Sequence, residues 1–377
     1  MSTETPIRPV VAARGPRSFT PPTFAQSVGL VTQREITMRL RSKAFLISTG
    51  ILLVAVLASI VIGALVGQNP SKPTVAVAGN VPASVSQSSA LDVQLADNPD
   101  AAEALVRDGA VDAAIVPGPP PLGYEVIGLT DVPSEVVSAL SVAPTVALLD
   151  PDATNPLLAY FVAIAFGIVF FMSAMTFGST IAQSVVEEKQ TRVVEILMST
   201  IPVRALLAGK VIGNSLLALG QIVAIALLSG IGLAVTGQNE LVATLGPSLV
   251  WFVVFFLFGF VMIASLYSAL AALVSRQEDV GSATSPVTIL VMAPYILILM
   301  FNSNQAVLAV MSYVPFSATV GMPMRIFLGD AQWWEPIVSL VILIATTALI
   351  ILIGARIYEN SLLRTGTRVK LLEALKG

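Results

Sequence analysis

Long apolar runs, each wide enough to cover every face of a helix, alternate along this chain with polar segments of very different length. Six runs, 44–66, 157–185, 211–235, 249–274, 287–301 and 337–355, carry no charged side chain. They suit helices crossing about 30 Å of hydrocarbon at about 1.5 Å per residue. The fifth is punctuated by Pro286 and Pro294, and apolar composition continues past it. The pattern predicts a membrane all-α fold of six transmembrane helices at 44–67, 156–186, 205–236, 247–274, 283–301 and 335–355, with a small extracytoplasmic α/β insert between the first two.

The polar segments differ in kind. Residues 1–23, with five prolines among small and basic residues, read as a disordered tail. Residues 24–43 place Val28, Val31, Ile36 and Leu40 among Arg34, Glu35, Arg39 and Arg41, which suits a cytoplasmic interfacial helix. The insert, 68–155, contains apolar-rich runs at 74–78, 91–95, 111–116, 124–129 and 145–149 that read as short strands. Asn98 and Pro99 announce a helix over 100–107, and Pro133 starts another towards Leu140. Residues 302–334 are mostly apolar but broken by Pro315, Gly321 and Pro323, so two short helices returning to the outer surface are expected. Residues 356–377 form a basic cytoplasmic tail.

Residues 187–204 carry the most telling pattern. Glu188, Arg192, Glu195 and Ser199 recur at helical spacing on one side; Val193, Val194, Leu197, Met198 and Ile201 take the other, and Pro202 ends the helix. One face suits lipid or packed helices, and the opposite face suits a partner.

Composition narrows the chemistry. At 55% hydrophobic and 11% charged residues, the chain has too little polar surface to solvate itself without a bilayer. It has no cysteine and no histidine, which excludes disulfides, Cys/His zinc sites and Ser-His triads. No metal site and no catalytic residue are expected. With both termini cytoplasmic, only Lys72, Arg107 and Arg325 of the 20 basic residues lie outside, so this orientation is the expected one. A phosphate-cradling loop is lacking too: around Gly209 and Lys210, Arg204 and Val211 stand where GxxxxGK[ST] needs a glycine and a hydroxyl.

Polar residues inside the spans are candidates for a translocation path. Thr176, Ser179, Thr180 and Gln183 share one face of the second span, and Asn214 and Gln221 share one face of the third. Helix packing and interhelical hydrogen bonding are the alternative readings. Gly209 and Gly213 form a small-xxx-small pair that favours close helix contact. With no acidic or basic residue in the apolar runs, a proton relay of the kind used in secondary transport loses support.

The stretch VVEEKQTRVVEILMSTIPVRALLAGKVIG, then SYVPFSATVGMPMRI, then the ending IYENSLLRTGTRVKLLEALK, resemble the permease subunits of ABC-2 type transporters, particularly the NatB-like sodium-efflux branch. The matching motif comprises Glu187, Glu188, Lys189, residues 195–200, Pro202, Gly209 and Lys210. The resemblance implies six spans, a large outer insert, and a coupling helix that fits a groove on a separate ABC ATPase subunit. Glu187, Glu188, Arg192, Glu195 and Ser199 would make the contacts there. It also implies a homodimer or a heterodimer with a related permease, ATP and Mg held by the ATPase rather than by this chain, the cell membrane as location, and no nucleic acid partner. Export of sodium follows from the branch resembled; a hydrophobic drug or a lipid-like compound fits the apolar spans equally well. The alternative is a non-transporting membrane sensor or assembly factor whose outer domain binds a ligand.

Overall fold

In a computed structural model the described residues are 22–68, 72–79, 81–82, 85, 88–120, 122–129, 132–140, 156–191, 193–302, 304–362 and 371–376. The tail expected at 1–23 falls almost wholly outside them, as do Arg192 and the strand expected at 145–149. The chain divides into two compact units, one formed by 1–61 and 154–377 and the other by 62–153.

The larger unit is helical. It comprises α1 (Phe24–Leu40), α2 (Lys43–Gln68, which runs on into the second unit), α5 (Pro156–Gln190), α6 (Val193–Met198), α7 (Val203–Val235), α8 (Asn239–Ala272), α9 (Val280–Met300), α10 (Gln305–Tyr313), α11 (Pro315–Leu328), α12 (Glu335–Leu362) and α13 (Leu371–Lys376). Among the described residues six helices are long and apolar enough to cross a membrane: α2, α5, α7, α8, α9 with the 3-10 turn before it, and α12.

Helix α8 is the hub, packing against α5, α7, α11 and α12. Of the six long apolar helices it is the most buried. Phe252, Phe256 and Phe260, four residues apart, meet Phe166, Phe170 and Phe177 of α5 at ring-centroid distances of 4.7, 6.0 and 6.0 Å. Each such pair contributes about 0.5–1.5 kcal/mol beyond area burial, so the row sets the register of α5 on α8. By contrast α2 leaves Ile47, Ile51, Val54 and Ile62 exposed.

Two expectations need correction. Residues 24–43 are not one helix: α1 ends at Leu40, the next helix begins at Lys43, and α1 packs along α7, burying Ser27 and Val31. Close approach requires Gly209, where an added methyl would sit 2.4 Å from Val31 Cβ, and Gly213, where it would sit 2.9 Å from Glu35 Cβ. The small-xxx-small pair thus serves α1. Residues 187–204 are likewise not one helix. Nothing breaks α5 after its apolar run, so it continues to Gln190; α6 is a separate short helix, and α7 starts at Val203 after Pro202. At the chain's far end, α12 runs on through 356–362, taking in the first part of the expected tail.

Between α9 and α12, α10 and α11 form a hairpin held by Arg325. Its guanidinium donates to Ser312 Oγ at 3.1 Å and to the Asp330 carbonyl at 3.0 Å, and pairs with Glu335 at 2.7 Å. Gly329 ends α11 in the left-handed region, φ 76°, where a side chain would be strained.

The second unit, described by itself, is a four-stranded sheet of order β2-β1-β3-β4. Its strands are β1 (Thr74–Ala78), β2 (Asp92–Ala96), β3 (Ala113–Pro117) and β4 (Tyr124–Ile127). β1 pairs parallel with β2 and β3, and β4 closes the edge antiparallel to β3. Helix α3 (Pro99–Arg107), capped by Asn98 accepting from the Ala101 N–H at 2.8 Å, places Ala102 and Val106 on the Ala76, Ala78 and Ala114 face. Val136 of α4 (Ser134–Leu140) covers the Val75, Val77 and Ile115 face. A central strand covered on both sides explains why 74–78 reads as a continuous apolar run.

Candidate functional site

The polar chemistry of the helical unit gathers at the end where α5 runs out and α7 begins. Lys189 lies at the i+4 and i+3 positions from the buried Val185 and Val186, so helical geometry turns it inward, and it is 2% exposed. Its Nζ donates to the Ala272 carbonyl at 2.8 Å and the Ser361 carbonyl at 3.0 Å. These carbonyls belong to the last turns of α8 and α12, where backbone acceptors lack helical partners and the helix dipole favours a cation. One lysine therefore ties the end of α5 to the ends of two other spanning helices.

Glu188, one position earlier, points towards α1 and α7. Its Oε1 lies 2.5 Å from Arg34 and 3.0 Å from the buried Lys210 Nζ. Glu35 completes the cluster, 2.9 Å from Arg34 and 3.3 Å from Lys210, while Lys210 also donates to Ser184 Oγ at 2.8 Å. Two cations and two carboxylates balance, which is what makes burial of Lys210 tolerable. Burial alone would raise the pKa of Glu35, but Lys210 and Arg34 outweigh it and hold the carboxylate below its ordinary value. Arg39 donates to Thr180, adding a second bond between α1 and α5, and burial lowers its pKa despite nearby Glu35.

The exposed part of this end is α6 with its flanks. Leu197, Met198 and Ile201 pack against the bundle core, whereas Glu187, Glu195 and Ser199 face outward. So the expected partner face divides: Glu187, Glu195 and Ser199 lie on the surface, Glu188 is committed to the internal cluster, and Arg192 is outside the described residues. Burial against α1 and α7 overrides the spacing that grouped Glu188 with Glu195.

The candidate path residues divide as well. Ser179 and Gln183 line a cavity of about 360 Å³ between α5, α8 and α9, with Tyr267, Thr284, Ser285 and Thr288. Thr176 is exposed nearby, and its carbonyl accepts from Thr180 Oγ1 at 2.7 Å. Thr180 turns to Arg39 instead of the cavity. Asn214 is buried beside the ion cluster, donating to the Lys210 carbonyl at 3.0 Å, and Gln221 is half-buried about two turns further along α7.

Sequence reasoning missed the connected set of Arg34, Glu35 and Lys210, and the inward-turned Lys189. A signal for two of them was there: Lys189 follows Val185 and Val186 on their face, and Lys210 shares the stripe of Leu206, Leu207 and Asn214.

Six apolar helices around a shared core, polar at one end through a short amphipathic connection, define a multi-pass membrane protein. The family described as ABC-2 family transporter protein matches residues 125–356, and the chain belongs to that family. It is similar to the uncharacterized protein YhaP of Bacillus subtilis (strain 168), 31% identical over 211 residues, which are 52% of this chain and 50% of that protein. It is also similar to the uncharacterized protein MJ1024 of Methanocaldococcus jannaschii, 25% identical over 215 residues, 56% of this chain and 52% of that one. The chain thus spans about half the length of the curated relatives it matches. No solved structure matches it at a significant level.

Proposed function

We propose that this chain is the membrane-spanning permease subunit of an exporter driven by a separate ABC ATPase, with both termini cytoplasmic and the sheet-containing unit outside. The observation that carries the reading is the anchored, outward-facing α6: exposed Glu187, Glu195 and Ser199 stand on a connection whose other face is packed into the bundle. A push on α6 reaches α5 directly, α8 and α12 through Lys189, and α1 and α7 through Glu188 and Lys210. Rigid linkage of this kind is what a device needs to convert ATPase closure into movement of spanning helices. A second permease, identical or related, completes the path. ATP and Mg are held by the ATPase.

The reading draws on family membership, on the positive-inside distribution of lysine and arginine, and on this geometry. Likeness to the sodium-efflux branch makes sodium the first cargo to assay. The neutral oxygens of Ser179, Gln183 and Ser285 around the α5–α8–α9 cavity suit a monovalent cation or a polar headgroup.

The test is co-purification and coupling. The chain expressed with its ATPase should retain it in mild detergent and stimulate ATP hydrolysis when cargo is added to vesicles containing sodium or amphiphiles. Reversing Glu187 and Glu195 to lysine should weaken ATPase retention by about tenfold or more, equivalent to about 1.4 kcal/mol, without altering thermal unfolding. Full retention and coupling in that variant would refute the docking role.

A further inference from the structure

A cavity of about 610 Å³ opens between α7, α8 and α12. It exists because α7 and α12 each pack closely along α8 but touch one another sparingly, and because Ala208, Ser265 and Ala355 are too small to fill the gap between them. Its apolar walls include Val211, Ile212, Ile351 and Leu352. Its mouth is cationic, with Arg204 from the first turn of α7 and Arg356 from the last part of α12, and Phe24 of α1 stands over it. From Arg204 to Ile212 the helix rises about 12 Å at about 1.5 Å per residue, less than half of a hydrocarbon core about 30 Å thick. The groove is therefore charged at the headgroup level, and its apolar walls lie where the α7 apolar run starts and the α12 run ends.

One guanidinium is open to an anion, and the other is held by the Glu359 carboxylate. Arg356 is exposed and makes no ion pair among the described residues. Arg204 pairs with Glu359 through two bonds, 2.6 and 3.1 Å, but its side chain is 69% exposed, where solvent and salt screen the pair. Such an exposed pair contributes little and can give way to a phosphate, which guanidinium binds in bidentate fashion. Apolar walls below two arginines match an amphiphile whose headgroup is anionic, and the bilayer is the one phase that delivers such a molecule at that depth.

We propose that this groove is a binding site for one anionic phospholipid of the surrounding bilayer, its phosphate on Arg204 and Arg356 and an acyl chain between α7 and α12. The assignment stands on the groove and its charge alone and does not depend on ATPase coupling. Bound lipid would fasten α12 to α7 where they otherwise scarcely meet.

The full chain, purified in mild detergent and exposed to equal amounts of phosphatidylglycerol and phosphatidylcholine with identical chains, is analysed by native mass spectrometry. Phosphatidylglycerol should be retained at least about fivefold over phosphatidylcholine, corresponding to about 1 kcal/mol, and glycerol phosphate without chains should not bind. Arg356→Gln, an exposed change, should bring the preference close to unity. Ala208→Phe, or Ser265→Leu if that variant unfolds, should remove retention of both lipids. Equal retention by the unaltered chain, an intact preference in Arg356→Gln, binding of glycerol phosphate alone, or undiminished retention in a folded groove-filling variant would each overturn the proposal.

Discussion

Replacing Lys210 by methionine removes a side chain that is 0% exposed and leaves Glu35 and Glu188 sharing Arg34 alone. Methionine keeps most of the volume, so the effect is electrostatic rather than a cavity. Taking one partner from a buried ion network costs about 3–5 kcal/mol, because the remaining charge stays desolvated. Here the carboxylates keep 11% and 13% of their exposure, and Arg34 stays within 2.5–2.9 Å of both. The loss should therefore sit at the lower limit, about 3 kcal/mol. At roughly 2 °C per kcal/mol for a chain of this size, the apparent melting temperature in mild detergent should fall by on the order of 6 °C. The informative comparison is the double variant Lys210→Met with Glu35→Gln. It restores charge balance by leaving Arg34 and Glu188 as a one-to-one pair, and it should recover at least half of the loss. Fluorescence-detected unfolding of the two variants decides the matter: a single variant as stable as the original, or a double variant no better than the single one, would refute the balanced-cluster argument.

Two other consequences follow from the same end of the bundle. Lys189→Met leaves the Ala272 and Ser361 carbonyls without their shared donor, and should destabilise by about 1–3 kcal/mol per unserved group, read as a lower melting temperature and faster proteolysis at the ends of α8 and α12. The Glu35 carboxylate, held below its ordinary pKa, contributes stability that is fully present above about pH 4.3 and is lost as pH falls through its lowered folded-state value. Melting temperature followed from pH 6 to pH 3 should decline, and Glu35→Gln should flatten part of that decline while lowering the neutral-pH value.

The cluster shows where sequence reading stops. The strands 74–78 and 124–127 and the helix capped by Asn98 are local features, announced by period, cap and proline within a few residues. The pairing of Arg34 with Glu188 joins positions 154 apart, and that of Glu35 with Lys210 positions 175 apart, which no local period encodes. Glu188 illustrates the cost of relying on spacing: four residues before Arg192 and seven before Glu195, it groups with an outward face, yet α1 lies against α7 and turns it into the interior. Thr180 departs from Ser179 and Gln183 for a similar reason, being drawn to Arg39.

The order of residues alone determined six helices long and apolar enough to cross a membrane among the described residues, because transfer of such runs from water to hydrocarbon is a sum over side chains that needs no neighbour. Composition likewise removed thiol and imidazole chemistry without reference to shape. Tertiary packing decided which charges face outward and which face one another, where α5 ends and α6 begins, and that Ala208, Ser265 and Ala355 leave a groove of about 610 Å³ beneath two arginines. Those outcomes depend on distances between helices remote in sequence, and Coulomb energy and steric fit are functions of distance, not of spacing along the chain.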